Sequence, residues 1–192
     1  MLEIKSCFKS SLYYVSPSFE ILAVTVYFDD FSLRFILVYL PNSLDPNICK
    51  GFFHEIKTLI NPDRRTIILG DFNLPEINWN TCSFPENQNY RYFYDFFLAS
   101  QPLDQIITFS TRGNNILDLL LTNDLDLVTD ICSLPPMGSS DHVMVKFSLQ
   151  GVVLLVNRDH RKYVILIFRY FYVIIFFSIL TGVNCILYLI VV

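Results

Sequence analysis

The sequence is short of charge, of cysteine pairing signals and of anything that reads as an export leader. Only 17% of its 192 residues are charged and 16% are aromatic, which excludes a disordered tail protein. Its five cysteines (Cys7, Cys49, Cys82, Cys132 and Cys185) are scattered, odd in number and without a C-x-x-C pair. That pattern argues against a disulfide framework and against a zinc site, and favours a reducing compartment. The N-terminus, Met-Leu-Glu-Ile-Lys-Ser-Cys, lacks a basic stretch followed by an apolar one, so no secretory signal is read there and an intracellular location is expected. No internal repeat is present. The length suits one domain with an appendage, not a large multidomain enzyme.

What is present is unevenly spread. Mean hydropathy is +0.43, high for a soluble domain. The excess sits in residues 151–192, of which 30 in 42 are apolar, while residues 1–150 are about 48% apolar, an ordinary globular value. Charge divides at the same place. The tail carries Arg158, Arg161, Lys162 and Arg169 against Asp159, and the remainder carries 10 basic and 17 acidic residues, or −7. Two regions are therefore expected, 1–150 and 151–192.

Within the first region, Glu20 to Phe28 and Ser32 to Leu40 are β-branched and aromatic and predict a hairpin turned at Asp29-Asp30. Asp45 and Pro46 suit the start of a helix, and Ile48, Phe52, Ile56, Leu59 and Ile60 follow at near-helical spacing before Asn61-Pro62. The short run Thr66 to Leu69 fits a strand buried on both faces. A polar loop over 74–89 and an aromatic helix over Tyr90 to Ser100 come next. Further strands are expected at Gln105 to Phe109, Ile116 to Leu121 and Val143 to Leu149. This order predicts an α+β fold of layered, stacked sheets with helices beside them.

Four short stretches carry chemistry. Gly70-Asp71-Phe72-Asn73 leaves the buried strand, and an extended backbone would point Asp71 and Asn73 to one side, where they can orient a water and hold a phosphate oxygen. The same residues are ordinary turn formers. Ser139-Ser140-Asp141-His142 precedes the last strand, where Asp141 and His142 can polarise each other, share a metal and a phosphate between them, or simply face solvent. Asp118 interrupts the apolar run Ile116 to Leu121. A carboxylate there needs a partner, and His142 is the best available, unless the strand is an edge and Asp118 faces water. Tyr39 ends its strand in Tyr39-Leu40-Pro41-Asn42 and could donate to a phosphate or merely pack.

Taken in order, Y-x-P-N, G-D-x-N, L-D and S-D-H resemble the endonuclease/exonuclease/phosphatase superfamily, which has the deoxyribonuclease-I-like fold. The wording is similar to the endonuclease domain of non-LTR (LINE-type) retrotransposons in five blocks: FEILAV, LVYLPNS, TIILGDFNLPEINW, ITFSTRGNNILDLLLTN and MGSSDHVMVKFSL. The resemblance covers about residues 8–150. It implies a Mg²⁺-dependent (or Mn²⁺-dependent) phosphodiesterase that nicks DNA, with a reverse transcriptase in the same polyprotein. Asp71 would orient or deprotonate the attacking water, Asn73 would contact the scissile phosphate, and Tyr39 would support it. Asp118 would brace His142, whose imidazolium stabilises phosphoryl charge. Asp141 would be a metal ligand or would hold one. Arg112 and Ser139 would contact DNA, although Arg112 reads equally as a solvated loop arginine.

The resemblance also implies two opening strands bearing an Asn and a metal-binding Glu. This chain's first matching block, KSSLYYVSPSFEILAV, corresponds to sequence downstream of that Glu, so N-terminal truncation and impaired activity are expected. Glu20 is not its replacement. Two alternatives stand beside the nuclease reading: a non-catalytic retrotransposon remnant and a phosphatase of the same fold. Residues 170–192 hold no formal charge and predict a transmembrane helix with the globular part cytoplasmic, or else the translation of AT-rich sequence after a lost frame.

Overall fold

Alternation along four adjoining strands sets the architecture. The computed structural model describes residues 3–4, 9–28, 31–42, 45–79, 81, 83–86, 88–97, 99–149, 162–167, 172–180 and 184–189. Strands β1 (Glu3–Ile4), β2 (Lys9–Val15), β3 (Glu20–Tyr27) and β4 (Ser32–Tyr39) precede helix α1 (Pro46–Leu59), β5 (Arg65–Asp71) and helix α2 (Gln88–Phe97). Then come β6 (Asp104–Gln105), β7 (Asp118–Thr122), a 3₁₀ turn at Leu125–Leu127, β8 (Val128–Leu134) and β9 (Met144–Leu149). β10 (Lys162–Ile167), β11 (Tyr172–Leu180) and β12 (Asn184–Leu189) complete the order. These strands make two six-stranded sheets, β2-β3-β4-β5-β7-β6 and β1-β10-β11-β12-β9-β8.

Leu22, Leu37, Leu69 and Leu120 stand in register across β3, β4, β5 and β7. They share one core with Val145, Phe147 and Leu149 of β9, which packs sheet on sheet. The intervening residues, among them Ile21, Ile36, Ile68 and Leu119, face the opposite way onto the two helices. Both described helices therefore cover the outer face of one sheet. The expected stacked sheets are present, with few helices.

Helix α1 is the crossover that lets β4 and β5 run parallel. It starts where Asp45 accepts a hydrogen bond from the Asn47 N–H at 2.7 Å, with Pro46 in the first turn. Asp45→Ala should cost about 1 kcal/mol, measured by urea unfolding. Cys49, Phe52, Phe53, Ile56 and Leu59 form its buried stripe. Ile48, expected on that stripe, is 44% exposed; the apolar face is centred one residue later. Phe53 then stacks on Phe72 and Phe96 and meets Phe93 edge-on, joining α1 to α2.

Several boundaries differ from the sequence expectation. The expected strand Gln105 to Phe109 shrinks to β6, because the Gln105 amide bonds both the N–H and the carbonyl of Ile107 and so satisfies the backbone that a ladder would have used. β2 and β8 were not expected. β8 hides because Asp130, at φ +53°, shifts its register and breaks the alternation. The Asp29-Asp30 turn and the 150/151 boundary lie outside the described residues.

The helix expected over 170–192 is also corrected. Its described residues form strands β11 and β12, and β12 pairs with β9 from Cys185↔Leu149 to Leu189↔Val145. An uncharged run of Ile, Val, Phe and Tyr suits a buried strand as well as a helix, and hydropathy cannot separate them. Among the described residues no helix is long and apolar enough to cross a membrane, which does not bear on spanning by strands.

Candidate active site

One step beyond the leucine row, the inward positions turn polar. Glu20, Tyr39, Asp71 and Asp118 stand in register across β3, β4, β5 and β7 and cap the seam between the sheets. Strand alternation thus brings to one place residues up to 98 positions apart in the sequence. Glu20 is a member of this row that sequence reading set apart from the site. Burial first, then the Asp71 charge and after it that of Glu20, raise the Tyr39 phenol against the opposing Arg112 charge and keep it a proton donor.

The end of β5 is shaped by two unusual backbone positions. Gly70 has φ +146° and Asn73 has φ +46°. Asp71 and Asn73 do meet, but through a turn and not through extended alternation. The Asn73 N–H donates to Asp71 Oδ1 at 2.9 Å, and Asn73 Nδ2 donates to Asp71 Oδ2 at 3.1 Å and to the Leu40 carbonyl at 2.8 Å. Both amide hydrogens are thereby committed, which leaves Asn73 to orient Asp71 and offers a ligand only its oxygen.

His142 reaches the row from the loop before β9. Its Nδ1 lies 2.8 Å from Asp118 Oδ2, with both side chains buried. That hydrogen bond raises the imidazole pKa against the opposing effect of burial. Asp71 is pushed up to about 7, first by burial and then by the neighbouring Asp118 charge. Thr111, fully buried, is a positioning residue that sequence reading missed. Its Oγ1 accepts from the N–H groups of Leu117 and Asp118 at 2.9 and 3.0 Å, and its carbonyl accepts from Val143. It ties the Asp118 strand to the His142 loop, yet a threonine in a polar loop carries no distinguishing signal.

The remaining expected residues sit outside this cluster. Asp141 is exposed and its Oδ2 accepts from Arg112 Nε at 2.7 Å, which holds its carboxyl below the usual range. The structure does not bring it to Asp71 and Asp118. Arg112 is engaged by that ion pair at the rim. Ser139 is exposed, and the hydroxyl that meets the His142 N–H is that of Ser140, at 3.1 Å.

Asp71, Asp118 and His142 place ligand atoms within 4.8 Å of one another. Asp118 Oδ1 is buried with no hydrogen-bond partner among the described residues. Two close carboxylates, one with an unsatisfied oxygen, suit a hard divalent cation.

A two-sheet sandwich whose seam ends in Asp, Asn, Asp and His is the layout of the endonuclease/exonuclease/phosphatase superfamily, with its deoxyribonuclease-I-like fold. The profile of the endonuclease-reverse transcriptase family matches residues 33–146, over half of the chain, and the protein belongs to that family. Among solved structures, the endonuclease domain of TRAS1, a telomere-specific non-LTR retrotransposon, shares the fold with a TM-score of 0.55 at 18% identity, covering 74% of this chain and 67% of that one. An endonuclease/exonuclease/phosphatase family protein from Leptotrichia buccalis C-1013-b matches with a TM-score of 0.44 at 15% identity, over 73% of this chain and 60% of that one. No curated protein matches in sequence.

Proposed function

We propose that this site is a divalent-cation-dependent phosphodiesterase that nicks DNA, as the endonuclease part of a non-LTR retrotransposon protein that also carries a reverse transcriptase. The observation that supports the reading most is the buried Asp71, Asp118 and His142 cluster with its unsatisfied carboxylate oxygen. Asp71 and Asp118 would hold Mg²⁺ or Mn²⁺, which supplies Lewis-acid polarisation of a phosphoryl oxygen. Asp71 would also orient the attacking water beside that ion. Asn73 holds its carboxylate in place. Asp118 fixes the His142 tautomer through Nδ1 and leaves Nε2 to donate to phosphoryl oxygens as negative charge develops there. Tyr39, kept protonated, would donate from the strand on the other side of Asp71.

A second reading, a non-catalytic remnant, draws on Asp141, whose carboxylate is held by Arg112 instead of joining the cluster. Plasmid nicking separates the two. The full chain should convert supercoiled to open-circular DNA in Mg²⁺ or Mn²⁺, and His142→Ala should slow conversion by about 10²-fold or more. A phosphate monoester run in parallel should remain intact; its turnover would favour a phosphatase. Folded protein that is inert on DNA in both metals would favour the remnant.

A further inference from the structure

The row that caps the seam holds one carboxylate with no part in the chemistry above. Glu20 opens β3 directly opposite Tyr39, on the face that carries Tyr39, Asp71 and Asp118. Strand β4 lies between β3 and β5, so Glu20 stands two strand spacings, roughly 10 Å, from Asp71. That is too far to share a cation with it, and the ligand cluster of Asp71, Asp118 and His142 forms without Glu20. Among the described residues no lysine, arginine or histidine pairs with Glu20. Arg112, the cation that acts on Tyr39 from the rim, is itself held by Asp141 at 2.7 Å. Glu20 is half-buried, so water screens its charge less than it would on an open surface.

A charge placed there acts on whatever Tyr39 touches. The Tyr39 phenol is raised by burial first and by Asp71 next, lowered by Arg112, and raised again by Glu20. The Glu20 field therefore reaches the hydroxyl, and a phosphate bound by that hydroxyl meets the same field. Coulomb energy scales with the charge of the ligand, so a phosphate monoester dianion is repelled twice as strongly as a diester monoanion. We propose that Glu20 is a specificity-determining residue, whose charge turns terminal phosphate monoesters away and leaves internal phosphodiesters as the preferred ligand. The proposal rests on the phosphodiesterase reading for the position of the phosphate, but the discrimination is one of binding and needs no catalysis.

The full chain is titrated by calorimetry in Mn²⁺ at pH 8 with phenyl phosphate, a dianion there, and with methyl phenyl phosphate, a monoanion of similar shape. Glu20→Gln should tighten phenyl phosphate about fivefold and methyl phenyl phosphate only about twofold, because the charges differ by a factor of two in the exponent. Glu20→Asp should keep most of the discrimination, and about 1 M NaCl, with a Debye length of about 3 Å, should shrink the Glu20→Gln effect. Glu20→Thr, neutral and suited to a strand, reads the same charge should Glu20→Gln not fold. A structural role would move both esters alike and survive salt. Equal changes for the two esters, no change, a change that salt leaves intact, or no binding of either ester would overturn the proposal. Plasmid nicking in Mg²⁺ alongside equal changes would overturn the role of Glu20 and leave the phosphodiesterase reading standing. Selective tightening of the monoester without nicking would uphold that role and count against the reading.

Discussion

In chelator, the protein should lose stability as pH rises from about 4 to 8, and Asp71→Asn should remove most of that loss. Asp71 binds its proton more tightly folded than unfolded, with a value raised from 3.8 to about 7 by burial and by Asp118. Across that window the folded state holds a proton that the unfolded chain has released, so stability falls as pH rises. His142 acts in the same direction. Its folded value is raised, chiefly by the Asp118 hydrogen bond, so its contribution is full below about 6.5 and is lost as pH climbs through the raised value. The Asp141–Arg112 pair has the opposite sign and matters only at acid pH, where its exposure makes it weak. The Asp71 part is on the order of 2–4 kcal/mol. Asparagine at 71 retains the oxygen that accepts from the Asn73 N–H but carries no charge to set against Asp118. Thermal melts in chelator at pH 5 and pH 8 should show a drop for the unaltered chain and a much smaller one for Asp71→Asn. Adding Mn²⁺ should raise the melting temperature of the unaltered chain more at pH 8 than at pH 5, because at pH 5 the cation must displace the Asp71 proton. A pH-independent melt would mean that the two carboxylates do not confront each other in the folded protein.

Gly70→Ala should be among the most damaging single-methyl additions in the chain. Gly70 lies inside β5 at φ +146°, between Val38 of β4 and Leu119 of β7. A Cβ there would fall 1.8 Å from the Val38 carbonyl oxygen and 2.8 Å from its carbon. Both atoms belong to the backbone of a buried neighbouring strand that has no room to retreat. The loss should be about 3 kcal/mol or more by urea unfolding. Gly113→Ala makes the contrast: φ is +55° and nothing lies within 4 Å of the added carbon, so only about 1 kcal/mol should be lost. Any Gly70→Ala protein that folds will have displaced β5 and with it Asp71, so metal-dependent stabilisation should weaken as well.

How much of this was legible follows from which forces act locally. The β3, β4 and α1 segments read correctly because β-branched runs, Asp45 and Pro46 speak for themselves within a few residues. Asp118 announced its need for a partner because a carboxylate within Leu117 to Leu121 has few other ways to be satisfied. The register that sets Glu20 beside Tyr39 was not readable, since it is fixed by cross-strand pairing over nearly the whole sheet. Asn73 was placed by the wrong mechanism, because a left-handed turn, and not strand alternation, carries it back to Asp71. The metal role of Asp141 came from the family resemblance; in the structure its carboxylate pairs with Arg112 at the rim, and adjacent residues in an extended segment point opposite ways. The tail was misread because an uncharged Ile, Val, Phe and Tyr run satisfies helix and strand templates alike.

The nicking rate of the full chain, set against that of Asp71→Asn in Mg²⁺ and in chelator, tests the phosphodiesterase account most directly. The account predicts conversion of supercoiled plasmid by the unaltered chain in Mg²⁺ only, and a rate about 10³-fold lower for Asp71→Asn. Equal rates for the two proteins, conversion that persists in chelator, or an unaltered chain that is folded and inert would contradict it.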